Sequence, residues 1–274
     1  MSSHGASLPA WEKRLRVSQR RVLVSEWTKL RSLRSTVWSL LAAVVFTIGL
    51  PALFASIISS RWGQLSPRER LHHHSLELAL AGVNLSQLAI GVLGVLVITG
   101  EYSTGMIRSS IAAVPRRLPV LWAKVVDFAV VCFCLMLPSV FAAFWVSQAI
   151  LARHDILQTS LSSPGVARTL LGGALYLTLF GVFALALGAM LRNTAAGIAT
   201  LVAVMFVIPP LLDVLPASWD NAVNPYLPSS AGSDTYALTT SSGSLSPWAG
   251  FGLFVGYTAA ALALAGALLL RRDS

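Results

Sequence analysis

Three residue types in this chain carry chemistry suited to catalysis or metal binding, and their spacing argues against each use. The consecutive His72, His73 and His74 offer imidazole nitrogens to a metal. Consecutive residues on a helix splay about its axis, however, so the three imidazoles do not converge on one ion. They read as a solvated outer loop. A phosphate-binding loop needs a lysine preceded by glycine, so that backbone amides and the ammonium cradle a phosphate together. The only lysines are Lys13, Lys29 and Lys124, and none follows a glycine. Cys132 and Cys134 lie two residues apart in one apolar run, so on a helix their side chains point apart and read as small hydrophobes. The sequence holds neither a G-x-S-x-G elbow nor an H-E-x-x-H zinc helix. An enzyme has no catalytic constellation to stand on here, and no metal site is expected.

The elements that would position any site are set by composition. The 274 residues are 55% hydrophobic and 11% charged, where a soluble domain carries roughly 25% charged. This is the composition of a membrane protein. Crossing a hydrocarbon layer of ~30 Å takes about 20 apolar residues in a helix, and six such runs occur, at about 36–59, 78–100, 125–146, 169–191, 194–212 and 248–270. A bilayer core cannot satisfy an open sheet edge, so long runs without alternation predict helices. The expected fold is therefore all-α, with six transmembrane helices in one domain over 36–274.

The net charge of +9 would suggest nucleic acid in a soluble chain; here the basic residues are sorted by side. Fifteen of the twenty Lys and Arg fall on the side holding the N-terminal segment, the loop after the second run, Arg192 and the C-terminal tail. Five fall opposite. The positive-inside rule then places both termini in the cytoplasm of a multi-pass protein of the cell membrane, with no nucleic-acid partner.

Residues 1–19 read as a flexible basic tail. Residues 20–35 read as an amphipathic interfacial helix, with Leu23, Trp27, Leu30 and Arg34 on one face and Glu26, Lys29 and Arg31 elsewhere. Trp27 suits the headgroup level and the cations suit anionic membrane lipid. Within the spans, Asp127 stands alone as a carboxylate and must face protein or reach the inner surface. On the second run Asn84, Gln87, Gly91, Gly94 and Ile98 recur by three and four, a small and polar stripe suited either to helix packing or to a polar path. Asn84 and Gln87 are the candidate lining of a substrate path. Gly252, Gly256 and Ala260 repeat the spacing on the sixth run.

The most specific segment runs Thr99-Gly100-Glu101-Tyr102-Ser103-Thr104-Gly105-Met106-Ile107-Arg108, then Ala112-Ala113-Val114-Pro115-Arg116-Arg117-Leu118-Pro119 through Lys124. It resembles the membrane subunit of the type-2 ATP-binding-cassette exporters, in the branch common in actinobacteria. Ser25-Glu26-Trp27-Thr28-Lys29-Leu30-Arg31-Ser32 and Tyr226-Leu227-Pro228-Ser229-Ser230-Ala231-Gly232 are similar to that branch as well. The resemblance covers nearly the whole chain from about Val22.

It implies a permease subunit that pairs with a second permease subunit, as homodimer or heterodimer, each served by a separate cytoplasmic ATPase. ATP and magnesium would then belong to that partner, with no cofactor on this chain. By the same resemblance Glu101, Tyr102, Gly105, Met106, Arg108, Arg116 and Arg117 form the region coupled to the ATPase, with the coupling helix over 101–108. Glu101 is expected to pair with a basic residue of the N-terminal helix. The outer stretch Asn224-Pro225-Tyr226-Leu227-Pro228 is expected to dip back into the membrane as a short polar re-entrant segment before the last helix. The alternative from the residues themselves is an ion- or proton-coupled carrier or channel without an ATPase. Such a protein calls for several intramembrane ionisable groups or internal repeats, and the sequence offers one carboxylate and no repeat.

Overall fold

The computed structural model describes residues 27, 34–64, 75–103, 117–154, 156, 158–212, 214, 222–239 and 243–271. Among these every regular element is helical. Six helices are long and apolar enough to cross a membrane: α1 (Arg34–Arg61), α2 (Ser75–Ser103), α3 (Arg117–Ala152), α4 (Val166–Leu191), α5 (Thr194–Leu212) and α6 (Pro247–Arg271). Of the expected interfacial helix, Trp27 is helical and 47% exposed, and Arg34 and Ser35 belong to α1 instead. Glu26, Lys29 and Arg31, like His72 to His74, lie outside the described residues.

Each of the first four spans begins before its apolar run. The largest difference is in α3, which starts at Arg117 rather than at 125 and continues to Ala152. Lys124 marked the expected boundary, but its charge is neutralised inside the bundle and the helix runs through it. Pro119 is harmless because it sits in the first turn, where its missing N–H has no partner to lose. At 36 residues α3 is about 54 Å long, so it tilts or projects beyond a ~30 Å hydrocarbon layer.

The bundle is built around α4. Its most apolar stretch is 72% buried, against 17% for α5, because α4 carries small residues where other helices cross. A Cβ on Gly181 would stand 2.6 Å from the Phe128 ring of α3 and 2.7 Å from Ile90 of α2. One on Gly94 of α2 would overlap the Gly181 carbonyl oxygen. Without a hydrophobic drive between helices in lipid, such backbone approach is what holds spans together. The same device joins α1 to α2, where a Cβ on Gly82 would meet the Thr47 carbonyl oxygen at 2.5 Å. Beside it the Thr47 and Ser86 hydroxyls pair at 2.7 Å. Cys132 is buried and Cys134 exposed, facing apart as their spacing requires.

Within α5 the helix widens over Ala203–Val207 into a π turn, in which the Ile208 N–H donates to the Ala203 carbonyl five residues back. Pro209 supplies the cause. A proline ring clashes with the carbonyl four residues before it and offers no N–H, and a wider turn relieves both.

Between α5 and α6 a 3-10 turn (Asn224–Tyr226) leads into a short helix, Pro228–Asp234. Gly232 presses on the Tyr176 ring of α4, and a Cβ there would overlap it. The Tyr257 hydroxyl of α6 donates to the Tyr226 carbonyl at 2.6 Å. Tyr176 and Tyr257 each stand ten residues from the nearer end of their helix, a depth of about 15 Å at 1.5 Å per residue. The segment thus reaches well down between α4 and α6. Its return is tied by Arg168, whose guanidinium donates to the carbonyls of Ala237 and Leu238 at 2.8 and 3.3 Å. Asp234 accepts the Leu245 N–H at 2.9 Å; partial burial raises this carboxyl above its usual range, against the opposing pull of that N–H.

Candidate functional site

The base of the bundle, on the side where α1 begins and α6 ends, collects charged groups in a buried setting. Glu101 stands two residues before the end of α2, and Lys124 stands on the third turn of α3. Lys124 Nζ lies 2.7 Å from Glu101 Oε1, with the two side chains 4% and 9% exposed. Asp127, also buried, follows Lys124 by three residues and so shares its face of α3. A charge in such surroundings is tolerated only when paired, because the interior does not return the hydration it loses. The two helices flanking the segment 104–116 are therefore fastened to each other just inside the membrane boundary.

A second fastening joins α2 to the α4–α5 turn. Arg192 adopts a left-handed conformation (φ 54°) that ends α4, its N–H donating to the Gly188 carbonyl at 2.9 Å. Asn193 then starts α5, its Oδ1 accepting the Ala196 N–H at 3.0 Å. The Arg192 guanidinium lies 5.2 Å from the centre of the Tyr102 ring, within cation–π range. The Thr194 hydroxyl donates to that of Thr99 at 2.8 Å. Three spans, α2, α3 and α5, thus meet at one rigid base.

Of the residues expected to couple to an ATPase, Glu101 and Tyr102 close α2 and Arg117 opens α3. Gly105, Met106, Arg108 and Arg116 lie outside the described residues, as does the basic segment expected to pair with Glu101. The partner found for Glu101 Oε1 is Lys124. Sequence reasoning placed Lys124 in a loop and Arg192 in a turn without giving either a role. The signal was available: a lone lysine next to an apolar run, and a glutamate closing the preceding run, are each expensive unless they meet.

The stripe on α2 divides. Gly91, Gly94 and Ile98 pack inside the chain, with a Cβ on Gly91 placed 2.6 Å from both Leu201 of α5 and Phe180 of α4. Gln87 is buried and its Oε1 accepts the Tyr176 hydroxyl of α4. Tyr176 also stacks at 5.2 Å on Tyr236 and at 5.8 Å on Phe254, so the re-entrant segment, α2, α4 and α6 converge on this ring. Asn84, by contrast, is exposed beside Leu85 on the open face of α2. Removing one member of the buried pair strands the other. Gln87→Leu is expected to cost about 1 to 3 kcal/mol by leaving the Tyr176 hydroxyl without its acceptor, and adding Tyr176→Phe should recover most of it. The thermal midpoints of the single and double variants in detergent check this.

The fold and these sites define a six-span, all-helical, multi-pass membrane protein. Comparison with models of known families and with curated proteins gives no match for this chain.

Proposed function

We propose that the chain is the transmembrane permease subunit of an ATP-driven exporter, lying in the cell membrane with its basic base in the cytoplasm. ATP hydrolysis belongs to a separate cytoplasmic chain, and a second permease subunit completes the substrate path. The observation that carries this reading is the buried Glu101–Lys124 pair at the foot of α2 and α3. The segment between those helices holds the Gly105 and Met106 sequence that resembles the coupling region of type-2 ATP-binding-cassette exporters. A displacement of that segment reaches two spans that are locked together, and through Arg192 and Thr194 a third. Rigid elements with few alternatives pass such displacements on without dissipating them. Asn84, on the open face of α2, is the polar residue assigned to the path, with Gln87 positioning that helix against Tyr176. Few ionisable groups lie within the spans, which favours an amphipathic or apolar compound over an inorganic ion.

The test asks first whether a phosphate-loop ATPase is encoded beside this chain, and then purifies the two separately and together. Purified alone, the chain should hydrolyse no ATP; together, the two should hydrolyse ATP and export substrate. Gly105→Trp should lower recovery of the ATPase about tenfold, the equivalent of ~1.4 kcal/mol of docking free energy, with membrane insertion unchanged. Full transport by this variant, or ATP hydrolysis by the chain alone, would overturn the assignment.

A further inference from the structure

A groove of about 310 Å³ opens between α3 and α6 at the same basic end of the bundle. Its walls are Leu118, Leu121 and Val125 from α3 and Leu262, Gly266 and Leu270 from α6, and they are almost wholly apolar. Leu118 to Val125 covers about 10 Å of helix, so the groove lies within one leaflet of the bilayer, near its boundary. It stays open because Gly266 has no side chain; a Cβ there would come within 3.2 Å of Leu118.

The ends of the two helices add charge and an aromatic flank. Leu270, which lines the groove, is followed by the exposed Arg271, the last residue of α6. Leu118 is preceded by Arg117, the first residue of α3. Trp122, on the rim, is 54% exposed, as suits an indole at the headgroup boundary. From the membrane surface inward the order is cation, then apolar slot, with the Trp122 indole flanking the slot. That is the complement of an anionic phospholipid read from phosphate to acyl chain. A soluble peptide has no route to a slot at hydrocarbon depth, and a zwitterionic lipid fills the slot with less benefit from the cation.

We infer that this groove holds one acyl chain of an anionic phospholipid from the leaflet on the basic side, its phosphate against Arg271. The site is a selective lipid position, distinct from the surrounding annulus.

The experiment places the full-length chain in mixed phosphatidylglycerol and phosphatidylcholine nanodiscs, releases it, and counts retained lipids by native mass spectrometry. The wild type should retain phosphatidylglycerol in preference. Arg271→Gln should reduce that preference about fivefold, the effect of one cation near a membrane surface, with phosphatidylcholine retention unchanged. Ala263→Leu fills the groove from an exposed position on α6, where folding is not at stake, and should lose the retained lipid of either kind. Equal retention of the two lipids by the wild type, unaffected by Arg271→Gln, would mean an unselective annulus and overturn the inference. So would an Ala263→Leu variant that keeps its lipid but changes oligomer mass, since the groove would then be a contact between copies.

Discussion

Alanine at Gly94 is expected to cost about 2 kcal/mol or more, while alanine at Gly252 should stay within about 0.5 kcal/mol. The added methyl at Gly94 would overlap the carbonyl oxygen of Gly181, a backbone atom that no rotamer change can move. To admit it, α2 and α4 must separate along the crossing where the core is tightest, and Gly181 is itself pressed on Phe128 and Ile90. Gly252 faces open space, with nothing within 4 Å of the methyl that would replace its hydrogen. Thermal midpoints in detergent, read by loss of the monodisperse peak on gel filtration, separate the two. Equal small gains would mean that helix propensity, which favours alanine over glycine in both, outweighs the crossing.

The second large effect is expected at the base. Lys124→Met alone leaves the Glu101 carboxylate buried without its ammonium and should cost about 3 to 5 kcal/mol. Glu101→Gln alone takes that carboxylate from the buried ammonium and should destabilise the fold as well. The double variant should lose less than the sum, with a coupling of about 1 to 3 kcal/mol. A cycle with no coupling would show that Lys124 and Glu101 are held by other neighbours and only happen to touch. Because the pair is nearly solvent-free, raising the salt concentration should leave the coupling almost unchanged, whereas an exposed pair would be screened.

The spans were legible because apolar length is a property of composition, and the Arg192–Asn193 break was legible because a charge and a capping residue interrupt two apolar runs. What the sequence could not separate was two small-residue stripes, each on one helix face. Gly91 and Gly94 on α2 are three apart and Gly252 and Gly256 on α6 are four apart, yet the first pair is packed inside the chain and the second faces outward. Spacing fixes which residues share a face; it does not say which neighbour meets that face. The start of α3 was misplaced for a related reason. A lysine ends an apolar run only if its charge must reach water, and Lys124 finds Glu101 instead, 23 positions earlier in the chain. The importance of Tyr176 was hidden for the same reason, since the helices that enclose it come from distant segments.

The turn between α4 and α5 carries a consequence for how the protein is made. Only Arg192 and Asn193 separate two spans of 26 and 19 residues, and two residues cannot hold one span in the membrane while the next is still outside it. The pair must enter the bilayer as a single hairpin during synthesis. At that moment α4 is still without the α6 and re-entrant contacts that later enclose Tyr176 and Gly232, because those segments have not yet left the ribosome. The glycine-rich faces of α4 must then wait, covered only by lipid and by α1 to α3, until the re-entrant segment and α6 arrive. A chain stopped before α6 would be fully inserted yet unfinished, and it is this intermediate, rather than any unfolded state in water, that a membrane quality-control protease would meet.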